Sequence, residues 1–383
     1  MERFTWRFVA LSRASGLFAV VACAALASAT PGLVYLGTLG GTSSVGEGIS
    51  ASGTTVTGFS NTTSGPLRAF RWSGGSMANL GTLGGTFSTG TGISADGTTV
   101  VGYALDAGGA ARAYRSVGGG AMENLGVLGG TASRGSGASG DGSVVAGYST
   151  ITGNTAQHAF RWVGGVMTDI HAPALGTTSY AHAISADGAV VVGQYVRSNG
   201  NSGSFRWTAG TGMQPIAFLG GFASAAWGVN PDGSVVVGDA SFEFGTGPNA
   251  YRWTLSGGLQ DLGTLGGIGS TARAVSADGS VVVGFSRVDP TGGGAENAFL
   301  YTDALGMVNL NTYLPTLGID LTGWTLTQAR GVSADGSAIT GYGTFNGQTF
   351  SAFLITGIPG PGAAALLGMG GLLAVRRRRQ LRA

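Results

Sequence analysis

The sequence predicts an all-β fold, a seven-bladed β-propeller whose four-stranded blades close into a ring, with one blade split between the two chain ends. Three observations predict this class. One unit of about 45 residues recurs seven times, each unit contains four strand-like segments, and the first and last units are complementary fragments. An N-terminal signal helix and a C-terminal transmembrane helix flank the ring, and helix is expected nowhere else.

The repeat is clearest in the segment Gly-Ile-Ser-Ala-Asp-Gly-x-Val-Val-Val-Gly, whose turn glycine can be followed through the chain. Successive turn glycines lie 44, 45, 46, 45, 46 and 57 residues apart, at Gly53, Gly97, Gly142, Gly188, Gly233, Gly279 and Gly336. The long last step contains an insertion around Asn311–Trp324. Such a regular period indicates one supersecondary unit that is stable only when it packs against its neighbours.

Each unit contains the pattern of four strands. A short strand rich in small residues precedes an Asp-Gly turn, which we expect to be a two-residue hairpin. A β-branched strand, a loop of variable length and an aromatic strand such as Ala159-Phe-Arg-Trp162 follow. The fourth strand is assigned to Met-x-x-Leu-Gly-Thr-Leu-Gly-Gly, as in Met77–Gly85. We expect the small first strand at the crowded axis and the Phe and Trp side chains between blades.

The two ends of the repeat region predict how the ring closes. The chain begins with an isolated fourth strand, Leu33–Gly41, and the seventh unit ends at its third strand, Ala352–Ile355. One blade is therefore expected to form from both termini, which would hide strand edges that are otherwise exposed. An open β-solenoid is the second interpretation, but it gives no reason to split a unit.

Several parts of this pattern resemble the HAF repeats of bacterial extracellular proteins. The strand that gives the repeats their name is complete only at His158-Ala159-Phe160, and the resemblance covers roughly residues 33–357. It depends mainly on the spacing between Leu-Gly-Thr-Leu-Gly-Gly and Ser-Ala-Asp-Gly. The resemblance implies export and a repeat fold, and it implies no particular activity.

Residues 1–29 are typical of a secretory signal peptide. Three arginines precede the apolar run Gly16–Ala27, and a small-residue cleavage site follows, formed by Ala27, Ala29 and Thr30. The expected partners are the Sec translocon and signal peptidase. An alternative is lipidation of Cys23, the only cysteine, within a lipoprotein-like box. The repeat domain, residues 30–357, then follows without a disulfide.

The C-terminal segment, residues 358–383, carries a second targeting pattern. Pro359, Gly360 and Pro361 precede a short apolar stretch, which ends in the cluster Arg376, Arg377, Arg378 and Arg379. This arrangement resembles the PEP-CTERM sorting signal, which implies membrane engagement, processing by an exosortase and a link to exopolysaccharide and biofilm. Gly360 stands where that family usually has Glu, a departure that puts efficient processing in question. The alternative is a C-terminal membrane anchor that is never cleaved.

Charge argues against nucleic acid as a partner. The formal net charge is +2, but eight of the twenty arginines lie in the two terminal segments. The part between them holds twelve arginines and seventeen acidic residues, which gives a net charge near −5. A protein that binds nucleic acid needs a basic surface to replace the counterions of the phosphates.

No motif in the sequence indicates a catalytic site, so we expect a protein that is not an enzyme and has no cofactor. Turn aspartates recur in six units, but one carboxylate per turn is too few for calcium, and a turn-forming role is favoured. The three histidines, His158, His171 and His182, have spacings that fit no zinc signature. The glutamates are scattered and do not suggest a glycosidase pair.

The aromatic strands carry an arginine that points away from Phe and Trp. Pairing each arginine with the aspartate of the next unit accounts for more units than pairing within a unit, so we predict ion pairs between adjacent blades. The predicted pairs are Arg71–Asp96, Arg115–Asp141, Arg161–Asp187, Arg206–Asp232 and Arg252–Asp278. The alternative is that these arginines are solvated.

These observations favour a non-catalytic surface or matrix protein that binds a glycan or a protein through propeller loops. The variable loops are where specificity would lie, and they are Asn61–Gly65, Ala104–Ala111, Ile151–Ala156, Val196–Ser202 and Asp289–Glu296. The competing class is a propeller lyase or hydrolase acting on extracellular polysaccharide. That class requires acidic residues clustered at one mouth of the channel.

Overall fold

The structure, a computed structural model, describes residues 31–216, 222–241, 247–291 and 294–360. These residues form seven antiparallel sheets of four strands each, so the predicted seven-bladed β-propeller is confirmed. The signal peptide, the predicted transmembrane helix and the residues Ala27, Ala29, Thr30, Pro361 and Arg376–Arg379 lie outside the described residues.

The chain enters the ring through β1 (Gly32–Tyr35), which belongs to the last blade, and then forms blades 1 to 3. Their strands are β2 (Gly40–Ile49), β3 (Thr55–Thr62), β4 (Leu67–Ser73) and β5 (Ser76–Asn79); β6 (Gly84–Ile93), β7 (Thr99–Asp106), β8 (Ala111–Val117) and β9 (Glu123–Asn124); and β10 (Gly129–Ala138), β11 (Val144–Ile151), β12 (Gln157–Val163) and β13 (Val166–Asp169). A single 3-10 turn, Thr152–Asn154, lies in the loop between β11 and β12.

Blades 4 to 7 complete the ring in the same order. Their strands are β14 (Thr178–Ile184), β15 (Val191–Val196), β16 (Ser202–Thr208) and β17 (Gly212–Pro215); β18 (Ser224–Val229), β19 (Val235–Ala240), β20 (Asn249–Thr254) and β21 (Gly258–Asp261); β22 (Ser270–Val275), β23 (Val282–Arg287), β24 (Glu296–Thr302) and β25 (Gly306–Asn309); and β26 (Trp324–Val332), β27 (Ile339–Phe345) and β28 (Gln348–Thr356).

Blade 7 is the split blade that the chain ends predict. Its strand order is β26, β27, β28 and β1, and β1 pairs antiparallel with β28. Leu33 lies opposite Ile355 and Tyr35 lies opposite Phe353. The ring is therefore closed by backbone hydrogen bonds between the two ends of the chain, and the open solenoid is wrong.

The core lies between blades, where the aromatic strands place their large side chains. Phe160 and Trp162 of blade 3 are 0% and 2% exposed and pack against Val101 and Ala113 of blade 2. Each fully buried side chain of this size contributes about 2 to 3 kcal/mol. The expectation that Phe and Trp fill the gaps between blades is confirmed, and a blade depends on its neighbour to bury them.

The Asp-Gly turns are longer than the predicted two-residue hairpins. Five residues separate β6 from β7, and Gly97 closes the turn by donating its N–H to the carbonyl of Ser94, 2.9 Å away. Gly97 has φ +75, a left-handed conformation that favours glycine. The Asp96 carboxylate accepts from the Thr98 N–H at 2.9 Å and from the Ser94 hydroxyl at 2.5 Å, so it stabilises its own turn.

The fourth strands are shorter than predicted. In the segment Leu33–Gly41 only the first residues pair as β1, and the segment after Leu36 links one blade to the next. Leu36 is 4% exposed, whereas Gly37 and Gly40 have φ values of +80 and +94. These left-handed residues turn the chain toward the axis, which explains why a pattern that looked like one strand is a strand followed by a connection.

The insertion in the last unit contains a short helix, α1 (Leu310–Thr316), so the expectation that helix is confined to the ends is wrong. The Asn309 side chain caps the helix by accepting from the Asn311 N–H at 2.9 Å. Leu310 and Leu314 are fully buried against blades 6 and 7. Seven residues are too few to show a helical period in the sequence.

The Asp-Gly turns of adjacent blades are joined by hydrogen bonds around the channel. The Ala51 N–H donates to Ala95 of the next blade, and equivalent bonds link most neighbours. Pro231 of blade 5 has no N–H to donate. Asn230, which stands where most units have Ser, donates from its side-chain amide to the Ala277 carbonyl of blade 6 at 3.1 Å. This bond completes the circle of hydrogen bonds between the turns.

Candidate functional site

The strand order defines two faces of the propeller. The turn face carries the Asp-Gly turns and the turns between third and fourth strands. The loop face carries the connections from second to third strands and the entries into the first strand of each blade. The variable loops that the sequence singles out all join a second strand to a third, so they lie on the loop face: Asn61–Gly65, Ala104–Ala111, Ile151–Ala156, Val196–Ser202 and Asp289–Glu296.

One position of the repeat lines the channel, in the second half of each first strand. It directly precedes the Gly or Ala at the bulge of each first strand, and all seven side chains line one cavity of about 230 Å³. We call this set the channel ring: Glu47, Thr91, Ser136, His182, Trp227, Arg273 and Arg330. Two residues further along, the channel wall is formed by small and aliphatic residues. The chemistry of the channel is therefore concentrated in this ring.

Trp227 is the centre of the contacts on one side of the channel ring. The centroid of its ring lies 4.2 Å from the His182 ring and 4.5 Å from the guanidinium carbon of Arg273. Its indole N–H donates to the carboxylate of Asp239 on β19. Burial raises the pKa of Asp239 to about 6, although the indole hydrogen bond and the charge of Arg273 oppose that shift.

His182 is a neutral imidazole in this environment. Burial, followed by the positive charge of Arg273, lowers the pKa of His182 to about 3. Its Nε2 atom is buried and makes no hydrogen bond with any described residue. A buried polar atom without a partner costs free energy, and such atoms are often completed by a ligand or water.

A second pair of charges joins blades 7 and 1 across the closure of the ring. Arg330 of β26 lies 3.2 Å from the carboxylate of Glu47 on β2, and these side chains are 17% and 18% exposed. The guanidinium carbon of Arg330 also lies 5.5 Å from the ring centroid of Tyr342. The Nε atom of Arg330 is buried and has no partner among the described residues.

Next to this ion pair, the cleft between blades 7 and 1 holds a cavity of about 290 Å³, which we call the junction pocket. Its lining comprises Ser43, Val45, Glu47, Phe59, Asn61, Leu67, Arg330, Tyr342 and Phe350. The rings of Tyr342 and Phe350 are stacked with centroids 5.4 Å apart. Phe350 is 51% exposed, which is unusual for so large an apolar side chain, and it follows a two-residue turn on the loop face.

Aromatic residues also recur around the rest of the loop face. The residue after the Val-Val-Val-Gly segment is aromatic in five of seven units, at Phe59, Tyr103, Tyr148, Phe285 and Tyr342, and it is Gln194 or Asp239 in the other two. Each is partly exposed. The guanidinium carbon of Arg134 lies 4.2 Å from the Tyr103 ring centroid, so arginine–aromatic pairs occur in more than one cleft.

The predicted Arg–Asp pairs are replaced by hydrogen bonds to the backbone. Among the described residues no ion pair joins any of the five predicted partners. The Nε groups of Arg71, Arg161 and Arg206 instead donate to glycine carbonyls in the next blade's turn, at 2.9, 2.9 and 3.3 Å, and these acceptors are Gly97, Gly188 and Gly233. The prediction identified the neighbouring turn correctly but assigned the wrong acceptor.

The other two arginines differ more from the predicted pairing with the aspartate of the next unit. Arg252 donates to the Gly279 carbonyl at 3.3 Å and pairs with Asp303 at 2.8 Å, whereas Arg115 pairs with Glu123 of its own blade at 2.6 Å. The predicted aspartate partners are Asp96, Asp141, Asp187, Asp232 and Asp278, and each is occupied by its own turn. For Asp141, backbone and serine hydrogen bonds lower the pKa to about 2.

The three histidines do not form one site. His158 and His171 stack with ring centroids 4.0 Å apart, and His158 lies 2.7 Å from Asp169, whereas His182 belongs to the channel ring. Within residues 31–360, apart from the gaps already named, no group of three or more His, Cys, Asp or Glu side chains could hold a metal ion.

Pro359 and Gly360 of the predicted sorting signal are described, and they follow directly after blade 7. Ile358 is 3% exposed, and its N–H donates to the Ser337 carbonyl at 3.0 Å. The chain therefore leaves the propeller on the turn face. In the described part of the chain no helix has the length and apolar character needed to cross a membrane.

The fold and the channel define a β-propeller. No family model matches the chain, and no curated protein is significantly similar to it. Solved structures with a similar fold include TolB from Acinetobacter baumannii, with 15% identity, a TM-score of 0.44 and coverage of 68% of this chain and 64% of that one. The chain thus spans less than two thirds of that protein.

Two further solved structures are similar. They are a putative TolB from Agrobacterium tumefaciens and the β-propeller domain of the Trilobed protease from Pyrococcus furiosus. The first has 16% identity, a TM-score of 0.46 and coverage of 69% of this chain and 88% of that one. The second has 9% identity, a TM-score of 0.42 and coverage of 64% and 74%. At these scores the similarities carry no argument about function.

Proposed function

We propose that this protein is an exported, non-catalytic bacterial surface or matrix protein that binds a glycan through its loop face. The observation that carries the proposal is the junction pocket. It combines the partly exposed aromatic pair Tyr342 and Phe350 with the planar polar groups of Glu47, Arg330 and Asn61. Aromatic faces pack against the C–H faces of sugars, and planar polar side chains bind their hydroxyl groups.

A propeller enzyme acting on extracellular polysaccharide is the second candidate. One observation favours it, because two carboxylates, Glu47 and Asp239, are close enough to Arg273 of the channel ring for their charges to raise its pKa. Each carboxylate is already engaged, however, Glu47 by Arg330 and Asp239 by the indole of Trp227. These contacts make the enzyme the weaker of the two candidates.

Replacing Phe350 by alanine is expected to weaken glycan binding about tenfold, the effect of losing about 1.4 kcal/mol of stacking. Isothermal titration of the purified protein with exopolysaccharide fragments measures this, and an assay for new reducing or unsaturated ends measures turnover. Leu255→Ala is the matched control, since Leu255 is 82% exposed in a turn on the opposite face. Equal affinity in both variants contradicts the binding site, and turnover favours the enzyme.

Export and C-terminal sorting belong to the same proposal. The N-terminal signal and the PEP-CTERM-like segment support it, with the translocon, signal peptidase and an exosortase as processing partners and an exopolysaccharide or surface protein as the ligand. Mass spectrometry of the protein from fractionated cells is expected to find Thr30 as the first residue and no peptide from residues 376–382. An N-terminus at Met1 contradicts export, and an intact arginine cluster contradicts C-terminal processing.

A further inference from the structure

Arg273 has hydrogen-bonding capacity that the protein does not use. Its guanidinium carbon lies 4.5 Å from the Trp227 ring, but the group makes no hydrogen bond or close ion pair with any described residue. Burial, followed by the charge of Arg330, lowers its pKa to about 10, so it stays charged at neutral pH. A guanidinium offers five N–H donors, and the partly exposed side chain of Arg273 lines the channel cavity, where a ligand can reach those donors.

The groups around Arg273 do not supply an acceptor. Glu47 is held by Arg330 at 3.2 Å, and Asp239 accepts the indole hydrogen bond of Trp227. His182 carries a buried Nε2 without a partner, and the Nε of Arg330 is unpartnered as well. Arg273 and Arg330 of neighbouring blades line one cavity, and only Arg330 has an ion-pair partner within 4 Å among the described residues, so the donors of Arg273 are open to an acceptor from outside the protein.

We propose that the channel ring binds the carboxylate of an acidic sugar, with Arg273 as its principal partner. This inference rests on the proposed function and names the class of glycan as one that contains uronic acids. The planar fork of a guanidinium matches a carboxylate in two parallel hydrogen bonds. Arg330 lines the same cavity as a second positive charge, and the Trp227 ring packs against Arg273 with its centroid 4.5 Å from the guanidinium carbon.

Two observations connect this anion site to the sugar. The channel ring and the junction pocket share Glu47 and Arg330, so one bound oligosaccharide can contact both. A sugar unit stacked on Phe350 would leave the next unit facing the channel. A peptide carboxylate fits Arg273 equally well, but its binding would not explain why an exposed aromatic pair lies beside Asn61 and Glu47 in the junction pocket.

The charges around the channel ring disfavour a dianionic ligand. At neutral pH the ring and its neighbours hold two positive charges, Arg273 and Arg330, and two negative charges, Glu47 and Asp239. A dianionic phosphate would bring an extra negative charge next to those carboxylates. A neutral sugar would offer Arg273 hydroxyl acceptors but no carboxylate to bind through two parallel hydrogen bonds, so the site is expected to discriminate against both.

The test uses one oligosaccharide in two forms. A hexuronan oligosaccharide and the same molecule after reduction of its carboxylates to alcohols are titrated at neutral pH into the purified full-length protein, with calorimetry as the readout. We expect the acidic form to bind at least about tenfold more tightly, a difference of about 1.4 kcal/mol. Arg273→Gln is expected to remove that preference, whereas Arg273→Lys, which keeps the charge but not the fork, retains part of it.

The matched control is Arg206→Gln, because Arg206 is a partly buried arginine that binds a turn on the opposite face. It is expected to keep the full preference. Equal binding of both oligosaccharide forms by the unmodified protein overturns this inference and leaves the proposed function standing. Binding of neither form also overturns the inference, and the proposed function is overturned only if the exopolysaccharide fragments fail to bind as well. An acetylated acidic peptide or inorganic phosphate that binds more tightly than the hexuronan, and through Arg273, overturns the assignment to a glycan.

Discussion

Replacing Gly193 by alanine is expected to destabilise the propeller by about 3 kcal/mol, the upper end of the cost of overpacking a rigid interior. A Cβ atom at this position would lie 1.9 Å from the Tyr180 carbonyl oxygen and 2.9 Å from a ring carbon of Phe205. The carbonyl belongs to the neighbouring strand β14, which approaches closely because it bulges there. Neither strand can move without losing its pairing in the sheet.

The matched control for this substitution is Gly210→Ala in the turn between β16 and β17. A Cβ atom at Gly210 has no heavy atom within 4 Å, and the residue is exposed. Its stability is expected to change by less than about 0.5 kcal/mol. Unfolding by guanidinium chloride measures both variants. If Gly193→Ala unfolds at the same denaturant concentration as the control, the close approach at the bulge does not limit the packing of the blade.

The same close approach recurs in every blade, and this explains why the repeat could be recognised from the sequence. The glycine that ends the Val-Val-Val-Gly segment would place a Cβ atom 1.8 to 2.0 Å from a backbone carbonyl oxygen across the bulge in all seven units. Backbone geometry therefore dictates that residue, as it dictates the turn glycine. Positions fixed by the backbone repeat exactly, so the number of blades, the number of strands and the closure could all be predicted.

Side-chain partners were harder to predict, because a repeat shows which residues are equivalent but not where their atoms point. The arginines of the third strands do reach the next blade, yet Arg161 finds the Gly188 carbonyl because the Asp187 carboxylate is already bound to the Ser185 hydroxyl and the Ala189 N–H. Local hydrogen bonds form at no cost in chain entropy beyond that of the turn itself. The carboxylate of the aspartate is therefore already hydrogen-bonded within its own turn and is not available to the arginine of the neighbouring blade.

Sequence reasoning did not find the candidate site, because the site lies where the repeat varies and not where it is constant. Its residues occupy positions of the repeat where the units differ, such as Glu47, His182 and Arg273 at one shared position. A search for constant motifs passes over such positions. The signal was present in the sequence, however. The repeat keeps a small residue on both sides of this position and varies the residue between them, which places six different residue types at one height of the channel. Comparing the units at this position would have assembled the ring.

The position of the site at the closure links stability to binding. The junction pocket lies between blade 7 and blade 1, and the Arg330–Glu47 ion pair crosses the same boundary. In this boundary Phe70 and Trp72 of blade 1 pack against Ala352 and Leu354 of β28. The pocket lies in the boundary that Leu36, directly after β1, helps to pack, so under the proposed function we expect the loss of β1 to weaken ligand binding as well as folding.

A chain that begins at Gly37, and so lacks β1, is expected to lose cooperative unfolding and to self-associate, whereas a chain that begins at Pro31 is expected to fold as the full ring. The shorter chain loses the four residue pairs between β1 and β28. It also loses Leu36, which is 4% exposed, and the contacts of the Tyr35 ring with Phe345 and Trp324 at 5.3 and 6.0 Å.

Self-association follows because the truncation exposes the edge of β28, which is long, apolar and unpaired. Such an edge pairs with another chain unless it is covered. Size-exclusion chromatography and thermal unfolding of the two chains measure the effect, and a synthetic peptide of residues 32–36 added in trans is expected to restore a monomer in part. If the chain beginning at Gly37 stays monomeric and unfolds at the same temperature as the one beginning at Pro31, blade 7 does not need its fourth strand, and packing between blades alone holds the ring closed.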